Sequence, residues 1–220
     1  MQADARLESA FAALSGEYRV RKNAAETAVC DWQWATRSWF DVRPLHFERL
    51  GIAAGRRLRR EPPDHRNRVA CGLDRDGRVV VERQFNGLSF YETFYTWAAD
   101  SVEAAHFDYA GEKSPINLLR ARMTDNRVVA SDMAATHGYS RETYRWDGGL
   151  VREIDVRHAR RESGVLAPLR PWHTVKAHYS NDGVLQRVEL VWPPSVVQRP
   201  EGFVEIMFER RGKTIYRNHP

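Results

Sequence analysis

The chain has 220 residues, 42% hydrophobic, 29% charged and 11% aromatic, a profile that excludes a disordered or low-complexity protein. Its formal charge of +5 is dispersed along the sequence and does not mark a nucleic-acid binder. No apolar run approaches the ~18 residues of a membrane span. Four of the 34 cationic residues are Lys22, Lys113, Lys176 and Lys213, and the rest are Arg, whose guanidinium forks match carboxylates and phosphates.

Residues 4–14 place Leu7, Phe11 and Leu14 at helical spacing, with Ser15-Gly16 as the stop, so a short N-terminal helix is expected there. From Glu17 onward the period changes to two. Tyr18 and Val20 alternate with Arg19 and Arg21, and Cys30, Trp32 and Trp34 share a face against Asp31 and Gln33, which reads as strand. The segment 51–65 is a break: Gly51, Gly55, Pro62 and Pro63 flank the run Arg56-Arg57-Leu58-Arg59-Arg60. Both sides of it look β, so one domain over residues 1–220 is expected, with 51–65 as a sub-boundary at most.

The rest is a series of strand–turn–strand units. Val69–Leu73 and Arg78–Phe85 flank Asp76-Gly77; Leu118–Met123 and Arg127–Met133 flank Asp125-Asn126. Arg141–Trp146 and Leu150–His158 flank Asp147-Gly148-Gly149; Thr174–Tyr179 and Val184–Trp192 flank Asp182-Gly183; Phe203–Phe208 and Thr214–Tyr216 flank Arg211-Gly212. Asp-Gly between alternating runs is a strong hairpin signal, because tight hairpin turns need positive φ. The expected fold is therefore all-β: a long antiparallel meander, closed as a barrel or left as an open twisted sheet, with a short N-terminal helix. Pro168–Pro171 and Pro193-Pro194 interrupt strands and mark corners or edges.

Two units match without a gap at a spacing of 35: Tyr144, Asp147, Gly148, Leu150 and Arg152 against Tyr179, Asp182, Gly183, Leu185 and Arg187. This Tyr-x-x-Asp-Gly-x-Leu pattern resembles the YD hairpin units of bacterial RHS-type and related polymorphic-toxin proteins. It covers about a sixth of the chain. Such arrays repeat at shorter and more regular intervals, so the resemblance implies hairpins and a toxin- or defence-associated setting, not a shell.

Ser89–Ala98 is aromatic on both faces: Tyr91, Tyr95 and Trp97 on one, Phe90 and Phe94 around Glu92 on the other. That describes a central strand or one lining a cavity. Glu92 buried without partners would be a raised-pKa acid and the residue to test first in an enzyme, although an Arg partner is the commoner fate. Farther on, Leu150, Ile154 and Val156 alternate with Glu153, Asp155 and Arg157, and Val204, Ile206 and Phe208 with Glu205 and Glu209. One face there is charged. The eight His show no metal spacing, no Ser sits in a nucleophile elbow, and no cofactor motif is present. Cys30 and Cys71 read as free thiols, and Met1-Gln2-Ala3-Asp4 does not open a signal peptide, so a cytoplasmic location is expected.

Two functional expectations follow. The first is a non-enzymatic protein-binding module, such as an immunity or accessory protein of a bacterial toxin or defence system. It would meet another protein through Arg56, Arg57, Arg59 and Arg60 and through Glu153, Asp155 and Arg157. The second is a calycin-like β-barrel that binds or transforms a small apolar molecule with Tyr91, Glu92, Tyr95 and Trp97; Gly16-Glu17-Tyr18 entering the first strand resembles the opening of those barrels. Nucleic acid, a membrane, a metal and a cofactor are not expected partners.

Overall fold

The structure is a computed structural model that describes residues 2–197, 201–211 and 213–216. Helices α1 (Ala5–Ala13) and α2 (Tyr18–Ala28) are joined by a 3-10 turn over Leu14–Gly16. Strand β1 (Asp31–Ala35) follows, then a long strap that holds the one-turn helix α3 (His46–Arg49). The sheet continues with β2 (Val69–Leu73), β3 (Val79–Asn86), β4 (Ser89–Trp97), β5 (Ser101–Phe107), β6 (Pro115–Thr124), β7 (Arg127–Ala135), β8 (Gly138–Asp147) and β9 (Leu150–Glu162). After the two-residue β10 (Val165–Leu166) come β11 (Arg170–Tyr179), β12 (Leu185–Trp192), the short α4 (Pro194–Val197), β13 (Phe203–Arg211) and β14 (Lys213–Tyr216).

Every strand except β10 pairs antiparallel with its neighbours in chain order, and β10 pairs with β9 alone. The two ends of the sheet, β1 and β14, do not meet, so the meander is open and not a barrel. Among the described residues no helix is long and apolar enough to cross a membrane. The turns supply the left-handed backbone that tight hairpins require. Gly148 and Gly149 have φ of 55° and 87°, and Asp125 and Asn126, which tolerate that region better than most residues, have 51° and 57°. Gly212, expected in the last turn, lies outside the described residues.

The expected first strand at Tyr18–Arg21 is a helix instead. Alternation over four residues is compatible with either period, and Lys22–Ala28 is Ala-rich and favours the helix. Tyr18, Arg21 and Ala25 then face the sheet, while Val20 is 70% exposed. Asp4 caps α1 by accepting from the Arg6 N–H at 2.9 Å.

One cross-strand row explains where the helices sit. Val81, Phe94, Ala105, Leu118, Ala134, Tyr139 and Ala159 lie directly opposite one another across β3 to β9. Large residues alternate with alanines, and the small positions let Leu7, Leu14 and Ala25 pack close to the sheet. Each fully buried large apolar side chain in this row contributes ~1.5–3 kcal/mol.

The opposite face carries a second cluster, including Val102, Ile154, Val175, Val188 and Phe208, against which Val42 and Leu45 of the strap pack. Near its end the alternation shifts. A register irregularity between β12 and β13 sets Val188 against Phe208 but Glu189 against Ile206. Ile206 and Val204 therefore join the charged face, with Val204 50% exposed, whereas the sequence pattern put them with Phe208. The basic segment 51–65 lies between β1 and β2. It folds back on β1, where the Leu58 N–H donates to the Trp34 carbonyl at 2.7 Å.

Candidate functional site: a strapped polar cavity

The face under the strap carries one continuous polar row beside the apolar second cluster. Glu82, Thr93, His106 and Asn117 stand directly opposite one another on β3, β4, β5 and β6. Alternation along each strand aims all four at the strap, and the turns of the meander bring them into register. Between this row and the strap lies a cavity of about 290 Å³, roofed by Ser38, Phe40, Asp41, Arg43, His46 and Ile52. The next residue row, with Tyr95, Leu119 and Met133, completes the floor.

The strap is held by buried polar contacts. Arg49 forms an ion pair of 2.9 Å with Glu142 of β8, both side chains being buried. Glu142 also accepts from the Tyr144 hydroxyl, and from Ser131 at 3.4 Å. Burial opposes ionisation of Glu142, but the Arg49 and Arg43 guanidiniums outweigh it and hold the carboxyl below its ordinary range. Phe40 packs edge-on against Tyr95 with centroids 5.3 Å apart.

The cavity's own groups are close to neutral. Asp41 is half-buried and its desolvation alone would favour its acid form, but the Arg43 guanidinium grips it with two hydrogen bonds of 2.9 Å and keeps it ionised. Their charges cancel. Glu82 is 2% exposed, and burial raises its pKa against the opposing hydrogen bonds from Gln84, Ser38 and Cys71, favouring the neutral acid. Burial also lowers the pKa of His46 and of His106 to about 4, so both imidazoles are neutral at physiological pH. Thr93 Oγ1 lies 2.8 Å from His106 Nδ1. The Tyr95 phenol is desolvated and held in its protonated form, chiefly by burial, with the Asp41 charge adding to it. Its hydroxyl and the Asn117 amide make no hydrogen bond to protein among the described residues, and the buried His46 Nδ1 has no partner. The site thus offers donors and acceptors with little net charge.

Of the residues expected from sequence to bind a ligand, Tyr95 lines this cavity. Tyr91 shares its face but leans on His106, centroids 5.7 Å apart, and Trp97 donates to the Val79 carbonyl at 2.8 Å. Glu92 is fully buried on the other face, accepting from Tyr18 at 2.6 Å and from Arg83 Nε at 2.8 Å. It ties α2 to the sheet. Glu82, the buried acid that does face a cavity, was not singled out in sequence, although an acid closing the run Val79-Val80-Val81 was the available signal.

The two expected protein-binding sets are far apart in the sheet. Glu153, Asp155 and Arg157 line an open groove of about 660 Å³ beside α1, with Arg120, Arg122, Asp132, Arg141 and Arg145. Most of these charges pair within the chain: Arg145 with Glu153 at 2.9 Å, Arg157 with Asp155 at 3.3 Å, Arg141 with Asp132 at 2.6 Å. Arg56, Arg57, Arg59 and Arg60 stand exposed at the β1 edge. Cys30 is an exposed free thiol and Cys71 a buried one whose pKa burial raises. Among the described residues no group of three or more His, Cys, Asp or Glu is placed to hold a metal. Compared with protein-family models, with curated proteins and with solved structures, the chain finds no match.

Proposed function

We propose that this chain binds a small, uncharged, hydrogen-bonding molecule between the strap and the sheet. The observation that carries this reading is the polar row Glu82–Thr93–His106–Asn117, facing a cavity near the lower end of the ~300–1,000 Å³ range of ligand pockets. Glu82, Thr93 and His106 are already hydrogen-bonded within the chain, whereas the Asn117 amide and the Tyr95 hydroxyl of the floor are not among the described residues, and a ligand satisfies them. The near-neutral balance of the site supports an uncharged ligand, because a buried ion would find no counter-charge left. This polarity favours a polar occupant over an apolar one, and Tyr95 with Phe40 supplies its aromatic wall.

The test is a thermal-shift screen of uncharged heterocycles and amides against charged analogues, repeated on Thr93→Val and Asn117→Leu, each close in shape to the original. Neutral compounds should raise the Tm of the native chain, and both substitutions should remove most of that gain. Charged compounds outranking neutral ones, or hits indifferent to both substitutions, would sink the reading.

The protein-binding reading, with its toxin- or defence-associated setting, remains a second proposal. Its support is the Tyr-x-x-Asp-Gly-x-Leu hairpins and the exposed guanidinium cluster at residues 56–60. A reducing cytoplasm belongs to the same proposals and suits the two free thiols.

A further inference from the structure

The cluster Arg56, Arg57, Arg59 and Arg60 has no carboxylate within ion-pair distance among the described residues. Its nearest acids in sequence are engaged elsewhere, Glu61 with His65 Nε2 at 2.8 Å and Asp64 with Arg66 at 2.9 Å. The cluster borders a cleft of about 320 Å³ whose other wall is the outer edge of β1, residues 31–34; the acids on its lining are Asp31 and the His65-paired Glu61, against the three guanidiniums of Arg57, Arg59 and Arg60. That edge is only partly covered. The Trp34 carbonyl accepts from the Leu58 N–H at 2.7 Å and the Thr36 N–H donates to the Arg56 carbonyl at 3.0 Å, so the backbone groups of Trp34 and Thr36 point outward. By the alternation of an antiparallel strand the N–H and C=O of Trp32 point to the same edge, into the cleft. Trp32 is 37% exposed.

We propose that this cleft takes an extended acidic peptide segment of a partner protein. Its carboxylates lie on Arg59 and Arg60, and its backbone pairs with the open rung at Trp32. Charge complementarity selects an anion, because guanidinium forks that form no ion pair among the described residues and outnumber the acids of the cleft are suited to bidentate carboxylate binding. The open strand edge selects a peptide, since backbone pairing to a sheet edge is a recurring mode of peptide recognition. The rings argue against single-stranded nucleic acid. Trp34 is already stacked with His65 at 4.3 Å and Phe85 at 5.7 Å, Arg83 lies 4.9 Å from the Trp32 centroid, and Arg57 lies 3.8 Å over Trp39, so little aromatic face is left for bases. This inference is independent of the cavity.

The experiment is fluorescence anisotropy of the full chain with a fluorescein-labelled octapeptide of alternating Glu and Val. Its Gln–Val counterpart and a labelled oligo-dT serve as comparisons. The acidic peptide should bind saturably, weaken on raising salt from about 50 to about 300 mM, and lose roughly tenfold in affinity with the Arg59→Gln/Arg60→Gln double variant. These side chains are exposed, so circular dichroism should show the variant folded. The Gln–Val peptide should bind roughly tenfold more weakly. Absence of saturable binding, binding undiminished by the double variant, or equal binding of oligo-dT would overturn the proposal.

Discussion

The strap over the cavity depends on a buried ion pair, and the Glu142→Gln substitution tests that dependence. Arg49 and Glu142 are 8% and 7% exposed and meet at 2.9 Å. The amide keeps the shape of the site but removes the charge that compensates a buried guanidinium. Removing one partner of a buried pair costs ~3–5 kcal/mol, because the remaining charge is left without a counter-ion. Weaker acceptance from Tyr144 and Ser131 adds to this, so about 4 kcal/mol is expected in all. In a chain of this size that lowers Tm by roughly 8–16 °C. Urea titration followed by tryptophan fluorescence measures the loss, and hydrogen exchange over residues 38–52 shows whether it begins as local release of the strap. The double change Arg49→Met/Glu142→Leu is the control, since an apolar pair of similar volume removes both desolvation costs and should restore most of the stability. A loss under about 1 kcal/mol for Glu142→Gln, or a double variant less stable than the single one, would refute the strap-anchor argument.

The cavity's shifted groups give two pH predictions. Glu82 has its folded pKa raised above the ordinary 4.5, so its contribution is fully present below pH 4.5 and is lost as pH rises through the folded value. Glu82→Gln should therefore be more stable than the native chain at neutral pH, the difference closing below pH 4.5; urea titrations at several pH values decide it, and a Gln variant less stable at neutral pH contradicts the buried-acid account. His46 and His106 have folded values lowered from 6.5 to about 4, so their neutral forms support the fold above pH 6.5 and that support fades as pH falls to about 4. Each should add a slope of about 1.4 kcal/mol per pH unit in that window, and His106→Gln should flatten the curve by about that amount.

The hairpins were legible because their causes are local. Alternation of apolar residues and a left-handed turn at Asp147-Gly148 or Asp182-Gly183 act over a few positions, and the strands begin and end within a few residues of those signals. The terminal helix at Leu7–Leu14 was legible for the same reason. Residues 18–28 were not, because four alternating residues fit either period and the helix is completed by distant partners: Tyr18 on Glu92, and Arg21 on Glu103 at 2.9 Å. The same contacts explain why Glu92 looked like a candidate acid; its Arg83 is nine residues away, across a turn.

Sequence by itself determined the antiparallel meander and most strand limits, through turn chemistry and side-chain period. Tertiary structure decided that the sheet stays open, that a shift between β12 and β13 turns Ile206 to the charged side, and that the strap closes over one face. It also assembled Glu82, Thr93, His106 and Asn117, and set Trp32 beside Arg59 and Arg60. The reason is physical: period two says which residues share a face of one strand, but which face is covered, and by what, depends on segments tens of residues away.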